Sequence, residues 1–120
     1  MDNIDILAID DDPVVHKIIR KALEAEGYQV RTESDGEAGL KAAIERPPHV
    51  VLLDVEMPRM DGYQVCQELH ARPEFRFIPI VFLSAHSSLE ERMVGYQKGA
   101  DDSMLKPFQA EELRARLAVL

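Results

Sequence analysis

The amino-acid sequence predicts an α/β fold: a five-stranded parallel sheet wound on both faces by helices. Three observations carry that expectation. Short runs that are apolar throughout, such as residues 50–53 and 78–83, suit strands covered on both sides. Stretches with apolar residues at helical spacing alternate with these runs along the chain. The length of 120 residues, with 46% hydrophobic and 30% charged, fits one compact domain.

The elements follow in order. Residues 4–9 are an apolar run closed by Asp10-Asp11-Asp12-Pro13, where Pro13 is placed to start a helix and Asp12 to cap it. Val15, Ile18, Ile19, Ala22 and Leu23 then recur at helical spacing until Gly27 stops the helix. Residues 28–32 alternate as a second strand. Ser34-Asp35-Gly36 is turn chemistry, and a second helix covers 37–45 before Pro47-Pro48 ends it. After the third strand at 50–53 comes a loop at 58–62, with Asp61-Gly62 read as the turn that opens a third helix. Val65, Cys66 and Leu69 mark the inner face of that helix, which assigns Cys66 to the core. The fourth strand is 78–83, and a helix over 89–97 stops before Gly99. A fifth strand at 102–105 is interrupted by Ser103, and Leu113, Leu117 and Leu120 stripe a last helix from Gln109 to the final residue. Right-handed crossovers then favour the flavodoxin-like, doubly wound strand order 2-1-3-4-5. Residues 1–120 are expected to be one domain with no linker and no separate output domain.

Composition excludes several classes of function. With 22 acidic and 14 basic side chains the net charge is −8, unsuited to direct binding of nucleic acid. The longest apolar run, 77–83, is far too short for a membrane span, and the Met1-Asp2-Asn3 start is unlike a secretory signal. The single cysteine excludes an internal disulfide and zinc sites built on paired cysteines. A cytoplasmic location is expected.

Ligands of such sheets collect at the carboxyl ends of the strands. Asp10, Asp11 and Asp12 follow the first strand, Asp54 the third, Ser84 the fourth and Lys106-Pro107 the fifth. Carboxylates crowded together repel unless protons or a cation neutralise them. Mg²⁺ suits one or two carboxylates together with a carbonyl, waters and phosphate oxygens. A hydroxyl and an amine opposite would complete a cradle for a phosphoryl group, and Asp54 is placed as a nucleophile that becomes an aspartyl phosphate. His16, His49, His70 and His86 show no metal-binding spacing. His86, two residues after Ser84, is either a residue at the mouth of the site or an exposed loop histidine.

Four motifs in sequence order carry a resemblance to a known family. They are Ile6-Leu7-Ala8-Ile9-Asp10-Asp11-Asp12-Pro13, Leu52-Leu53-Asp54-Val55-Glu56-Met57-Pro58-Arg59-Met60-Asp61-Gly62, Phe82-Leu83-Ser84-Ala85 and Lys106-Pro107-Phe108. Over essentially its whole length the chain resembles the receiver domain of two-component response regulators. The resemblance implies that Asp54 accepts a phosphoryl group from a histidine kinase's phosphohistidine. It implies that Asp11 ligates Mg²⁺ directly, that Asp10 acts on the metal through water, and that Glu56 supplies a backbone carbonyl. Ser84 and Lys106 would bind the phosphoryl group, with a cis bond between Lys106 and Pro107. Such a domain promotes its own phosphorylation and slow dephosphorylation and is no conventional enzyme. Its implied partners are a histidine kinase or phosphotransfer protein, approached through the site edge and first helix, and a downstream output domain or protein. Dimerisation would run through the fourth and fifth helices.

One position departs from the family. Receivers usually carry an aromatic residue three positions before the lysine, where this chain has Ser103. Coupling of Ser84 to a rotating ring is therefore not expected, and surface change near the fourth helix and fifth strand must come from backbone and loop motion. A phosphate-independent interaction module is the competing reading. A phosphate-ester hydrolase lacks an evident second general acid after Asp54, and a flavodoxin-type redox role lacks a phosphate loop after the first strand.

Overall fold

The computed structural model describes residues 4–85 and 89–120. Five strands, β1 (Asp5–Ile9), β2 (Gln29–Glu33), β3 (Val50–Asp54), β4 (Ile80–Ser84) and β5 (Asp102–Leu105), form one parallel sheet in the order β2-β1-β3-β4-β5. The helices between and after them are α1 (Pro13–Glu24), α2 (Gly36–Glu45), α3 (Gly62–His70), α4 (Leu89–Gln97) and α5 (Ala110–Ala118). Fold class and strand order agree with the expectation.

Successive strand residues point to opposite faces, which explains why the central strands are apolar throughout. On one face Ile6, Ala8, Leu52, Val81, Leu83 and Met104 pack with Val15, Ile19, Leu23, Leu113 and Leu117 of α1 and α5. On the other, Leu7, Ile9, Val51, Leu53, Ile80 and Phe82 pack with Ala43, Val65, Cys66 and Leu69 of α2 and α3. Chain order therefore decides which helix covers which face.

Aspartates start three of the helices. Asp12, Asp35 and Asp61 are extended residues whose carboxylates accept from Val14, Ala38 and Gln64 N–H groups, satisfying donors that the first turn leaves unpaired. Pro13 occupies the first turn of α1, where a missing N–H costs nothing.

Several boundaries differ from expectation. Ile18 lies at the edge of the α1 stripe and is 38% exposed, beside Val14. The last helix stops at Ala118, and Leu120 lies beyond it and is exposed. β4 begins at Ile80 because Ile78 N–H already donates to Phe75, closing a short 3-10 turn at Pro73–Phe75. Phe75 anchors that turn in the core. A three-residue turn is too short to leave a periodic signature. Among the described residues no helix is long and apolar enough to cross a membrane.

Candidate active site

The residues after β1, β3, β4 and β5 meet at one edge of the sheet. Asp10 is fully buried. Its Oδ1 accepts from Asp12 N–H at 2.9 Å, its own N–H donates to Glu33, and its carbonyl oxygen lies 2.6 Å from His16 Nε2. These contacts fix the turn between β1 and α1. Asp10 Oδ2 has no aligned hydrogen bond, although Lys106 Nζ approaches it to 2.7 Å as an ion pair.

Asp54 is the last residue of β3 and is 3% exposed. Its Oδ1 accepts from Glu56 N–H at 3.2 Å and lies 3.1 Å from Lys106 Nζ. The ammonium therefore stands between two buried carboxylates. Lys106 is held there by its N–H donating to the Ser84 carbonyl at 2.7 Å, and the peptide that joins it to Pro107 is cis. Burial first, then the negative charge of Asp10, pushes the Asp54 carboxyl up to about 6, against the opposing pull of Lys106 and Glu56 N–H. Burial favours a neutral amine at Lys106, but Asp10 and Asp54 outweigh it and hold the ammonium above its usual range.

Asp11 is exposed, yet one oxygen from each of Asp10, Asp11 and Asp54 falls within 4.8 Å of the others. Two buried carboxylates and one open to solvent make an all-oxygen donor set. That donor set, two of its carboxylates buried side by side, fits a hard divalent cation such as Mg²⁺. Glu56 reaches the site through its backbone N–H, and its side chain is exposed. Ser84 ends β4 half-buried, in register with Leu105 of β5, and is tied to Lys106 through the backbone. His86 lies outside the described residues.

Other assignments resolve as structure. Asp61 and Gln64 form a reciprocal capping box at α3, as a turn residue would. Gly62 does more than turn the chain, since a Cβ there would collide with the Asp54 carbonyl oxygen and lie 2.9 Å from Val55 Cα. Only glycine lets α3 start this close to the strand tip. Cys66 is fully buried and donates to the Lys98 carbonyl at 3.2 Å, and burial pushes its thiol up to about 11. Ser103, half-buried, braces α5 through its backbone: its carbonyl accepts from Arg116, which also ion-pairs with Asp102 at 2.6 Å. Sequence reasoning passed over His16 as a support of the Asp10 turn. Its place six residues after Asp10 in the first turns of α1 was the available signal.

Comparison with known proteins agrees with this geometry. The family model of the response regulator receiver domain matches residues 6–118. The DNA-binding dual master transcriptional regulator RpaA of Synechocystis is 37% identical over 115 residues, 96% of this chain and 48% of that protein. The chain spans about half the length of the curated relatives it matches. The chemotaxis protein CheY4 of Vibrio cholerae superposes with a TM-score of 0.93 at 30% identity, covering 98% of both chains. The receiver domain of the sensor histidine kinase PA1611 of Pseudomonas aeruginosa, solved with magnesium coordinated in its active-site cleft, gives 0.89 at 30% identity over 98% of this chain and 97% of that one.

Proposed function

The chain belongs to the response regulator receiver family, and on that premise we propose that Asp54 is its phosphoacceptor, charged by the phosphohistidine of a histidine kinase or phosphotransfer protein. The single observation that supports this most is the tethering of Asp54. Lys106 and Glu56 N–H both hold Oδ1, so the carboxylate is fixed at the strand tip and Oδ2 is the oxygen presented to phosphorus. As the P–O bond forms to Oδ2, the P–N bond of the donor breaks. The imidazole leaves with that electron pair and is protonated.

Asp10, Asp11, Asp54 and the Glu56 carbonyl would hold Mg²⁺, which when bound offsets the negative charge of carboxylates and phosphoryl oxygens. Lys106 Nζ and the Ser84 hydroxyl would take the remaining phosphoryl oxygens. Hydrolysis of the acyl phosphate by water, slowly restoring Asp54, belongs to the same proposal and makes the domain a self-limiting switch. A phosphate-independent module is not favoured, since it has no use for a buried carboxylate pair with a lysine between them.

The partner would approach through the site edge and α1, where Val14, Val15, Ile18, Pro107 and Phe108 line a shallow, largely apolar cleft beside Lys106. Residues 1–120 are taken as one receiver domain working in the cytoplasm, without direct binding of nucleic acid or membrane by this chain. An output domain or partner protein would read the switch. Dimerisation through α4 and α5 would use the exposed Met93 and Tyr96 of α4, with Leu105 of β5 alongside.

Intact mass after incubation with acetyl phosphate tests the assignment. One added phosphoryl group that requires Mg²⁺ and disappears in Asp54→Ala is the expected result. An adduct that survives Asp54→Ala, or no adduct in the unsubstituted chain, overturns it.

A further inference from the structure

We propose that His16 is a positioning residue of the metal set: its ring holds the peptide between Asp10 and Asp11 so that the Asp11 carboxylate is aimed at Asp10 and Asp54. The role rests on those three aspartates holding Mg²⁺.

The three carboxylates are not held alike. Asp10 Oδ1 accepts from Asp12 N–H at 2.9 Å, and Asp10 Oδ2 faces Lys106 Nζ. Asp54 Oδ1 is held by Glu56 N–H and Lys106 Nζ. Asp11 is exposed, and among the described residues its carboxylate accepts no hydrogen bond and makes no ion pair. Yet one of its oxygens falls within 4.8 Å of an oxygen of Asp10 and of Asp54. An exposed carboxylate with no side-chain partner is aimed by its backbone, and the short aspartate side chain follows its Cα–Cβ direction closely.

That backbone is clamped from α1. The Asp10 carbonyl oxygen lies 2.6 Å from His16 Nε2. A carbonyl oxygen only accepts, so the ring N–H is the donor. The ring has a firm base: His16 is half-buried, its backbone N–H donates to the Asp12 carbonyl at 3.3 Å, and its neighbours Val15 and Ile19 on α1 are buried in the core. Asp11 therefore lies between two restrained peptides, one held at the Asp10 carbonyl by His16 and one held at Asp12 N–H by Asp10 Oδ1. A peptide group is planar, so two fixed planes fix the Cα–Cβ direction of the residue between them. Releasing the first plane lets the Asp11 carboxylate turn toward solvent. Groups that orient a metal ligand from behind in this way set metal affinity without touching the metal.

The test exploits reach. The amide nitrogen of glutamine stands the same number of bonds from Cα as Nε2 of histidine, and that of asparagine falls short of it. His16→Gln therefore keeps a donor for the Asp10 carbonyl, His16→Asn withdraws it, and His16→Leu keeps bulk without any donor. Mg²⁺ affinity of the full chain is read by NMR titration at one fixed pH, with the order parameter of the Asp11 amide from nitrogen relaxation and urea unfolding in chelator beside it. His16→Gln is expected to bind Mg²⁺ within about twofold of the unsubstituted chain, and His16→Asn and His16→Leu roughly tenfold or more weakly. In the two weak variants unfolding stays cooperative and the Asp11 amide gains fast motion. A ring that merely braces the turn would lower the urea midpoint of His16→Asn and leave its Mg²⁺ affinity unchanged, which overturns the inference. Binding by His16→Gln as weak as that of His16→Asn also overturns it, as does an Asp11 order parameter unchanged in His16→Asn. If His16→Leu does not unfold cooperatively, the asparagine and glutamine variants decide alone. Absence of Mg²⁺ binding by the unsubstituted chain overturns the metal assignment, and this inference with it.

Discussion

Lys106 stands between Asp10 and Asp54, so the cluster carries one more negative charge than positive whenever both carboxylates are ionised. Removing either sign has opposite consequences. Burial and the charge of Asp10 push the Asp54 carboxyl up to about 6 in the folded chain, against 3.8 for an unperturbed aspartate. The folded state therefore binds more protons than the unfolded state between these values, and stability falls as pH rises through that window. Asp54→Asn removes the penalty, so at pH 7.5 the metal-free variant should be more stable by about 1–3 kcal/mol, with the gain shrinking as pH falls from about 6 toward 3.8. Urea unfolding at pH 7.5 and pH 5 in chelator checks this, and a pH-independent difference would contradict it. Lys106 has the other sign. Its raised folded pKa means its contribution is fully present at neutral pH and is lost only in strongly alkaline solution. Lys106→Met leaves a buried carboxylate pair without its cation, and should cost about 3 kcal/mol at pH 7.5 in the same assay. The cost should shrink at pH 5, where a proton on Asp54 substitutes for the ammonium.

Among the elements, α3 makes the closest demand on the site. Its first residue touches the Asp54 backbone, so Gly62→Ala must push the helix away from the strand tip. The expected result is a loss of about 1–3 kcal/mol together with slower uptake from acetyl phosphate. Asp61→Ala removes the capping box without that displacement and should cost about 1 kcal/mol while leaving uptake close to normal. Comparing the two variants by denaturation and by rate separates helix stability from helix position. The same helix shows what sequence could reveal. Val65, Cys66 and Leu69 were legible as its inner face because burial imposes a period, and β3 and β4 were legible because both their faces are covered. Asp10, Asp54, Ser84 and Lys106 were legible as neighbours because parallel strands deliver their carboxyl ends to one edge. Contacts that depend on exact approach were not. Gly62 looked like an ordinary turn residue, and nothing in the sequence places the Lys106 ammonium on Asp10 rather than on solvent. Ile18 misled because it lies at the margin of the α1 stripe, where helical spacing alone does not separate core from cleft.

At the scale of the whole molecule, metal binding and folding are expected to be linked, because Asp54 lies more than forty positions along the chain from the adjacent pair Asp10 and Asp11. The unfolded chain cannot gather Asp10, Asp11 and Asp54, so a cation that holds them together binds the folded state alone. Its stabilisation should grow as RT ln(1 + [Mg²⁺]/Kd), about 2.7 kcal/mol at a hundred times Kd. The carboxyl that rises to about 6 sets the pH dependence. Above that value Asp54 is ionised and available to the cation. Below it a proton competes, and apparent affinity should fall by up to about tenfold per pH unit. Thermal unfolding across a Mg²⁺ series at pH 7.5 and pH 5 therefore has a definite expectation. The midpoint rises with Mg²⁺ at pH 7.5, rises much less at pH 5, and barely moves at either pH in Asp54→Asn. Chelator should return the unsubstituted chain to its metal-free midpoint. A shift equal in size at both pH values, or one retained by Asp54→Asn, would mean that the cation stabilises the acidic surface in general and not this cluster. The net charge of −8 makes that control necessary, since any divalent cation screens such a surface to some degree.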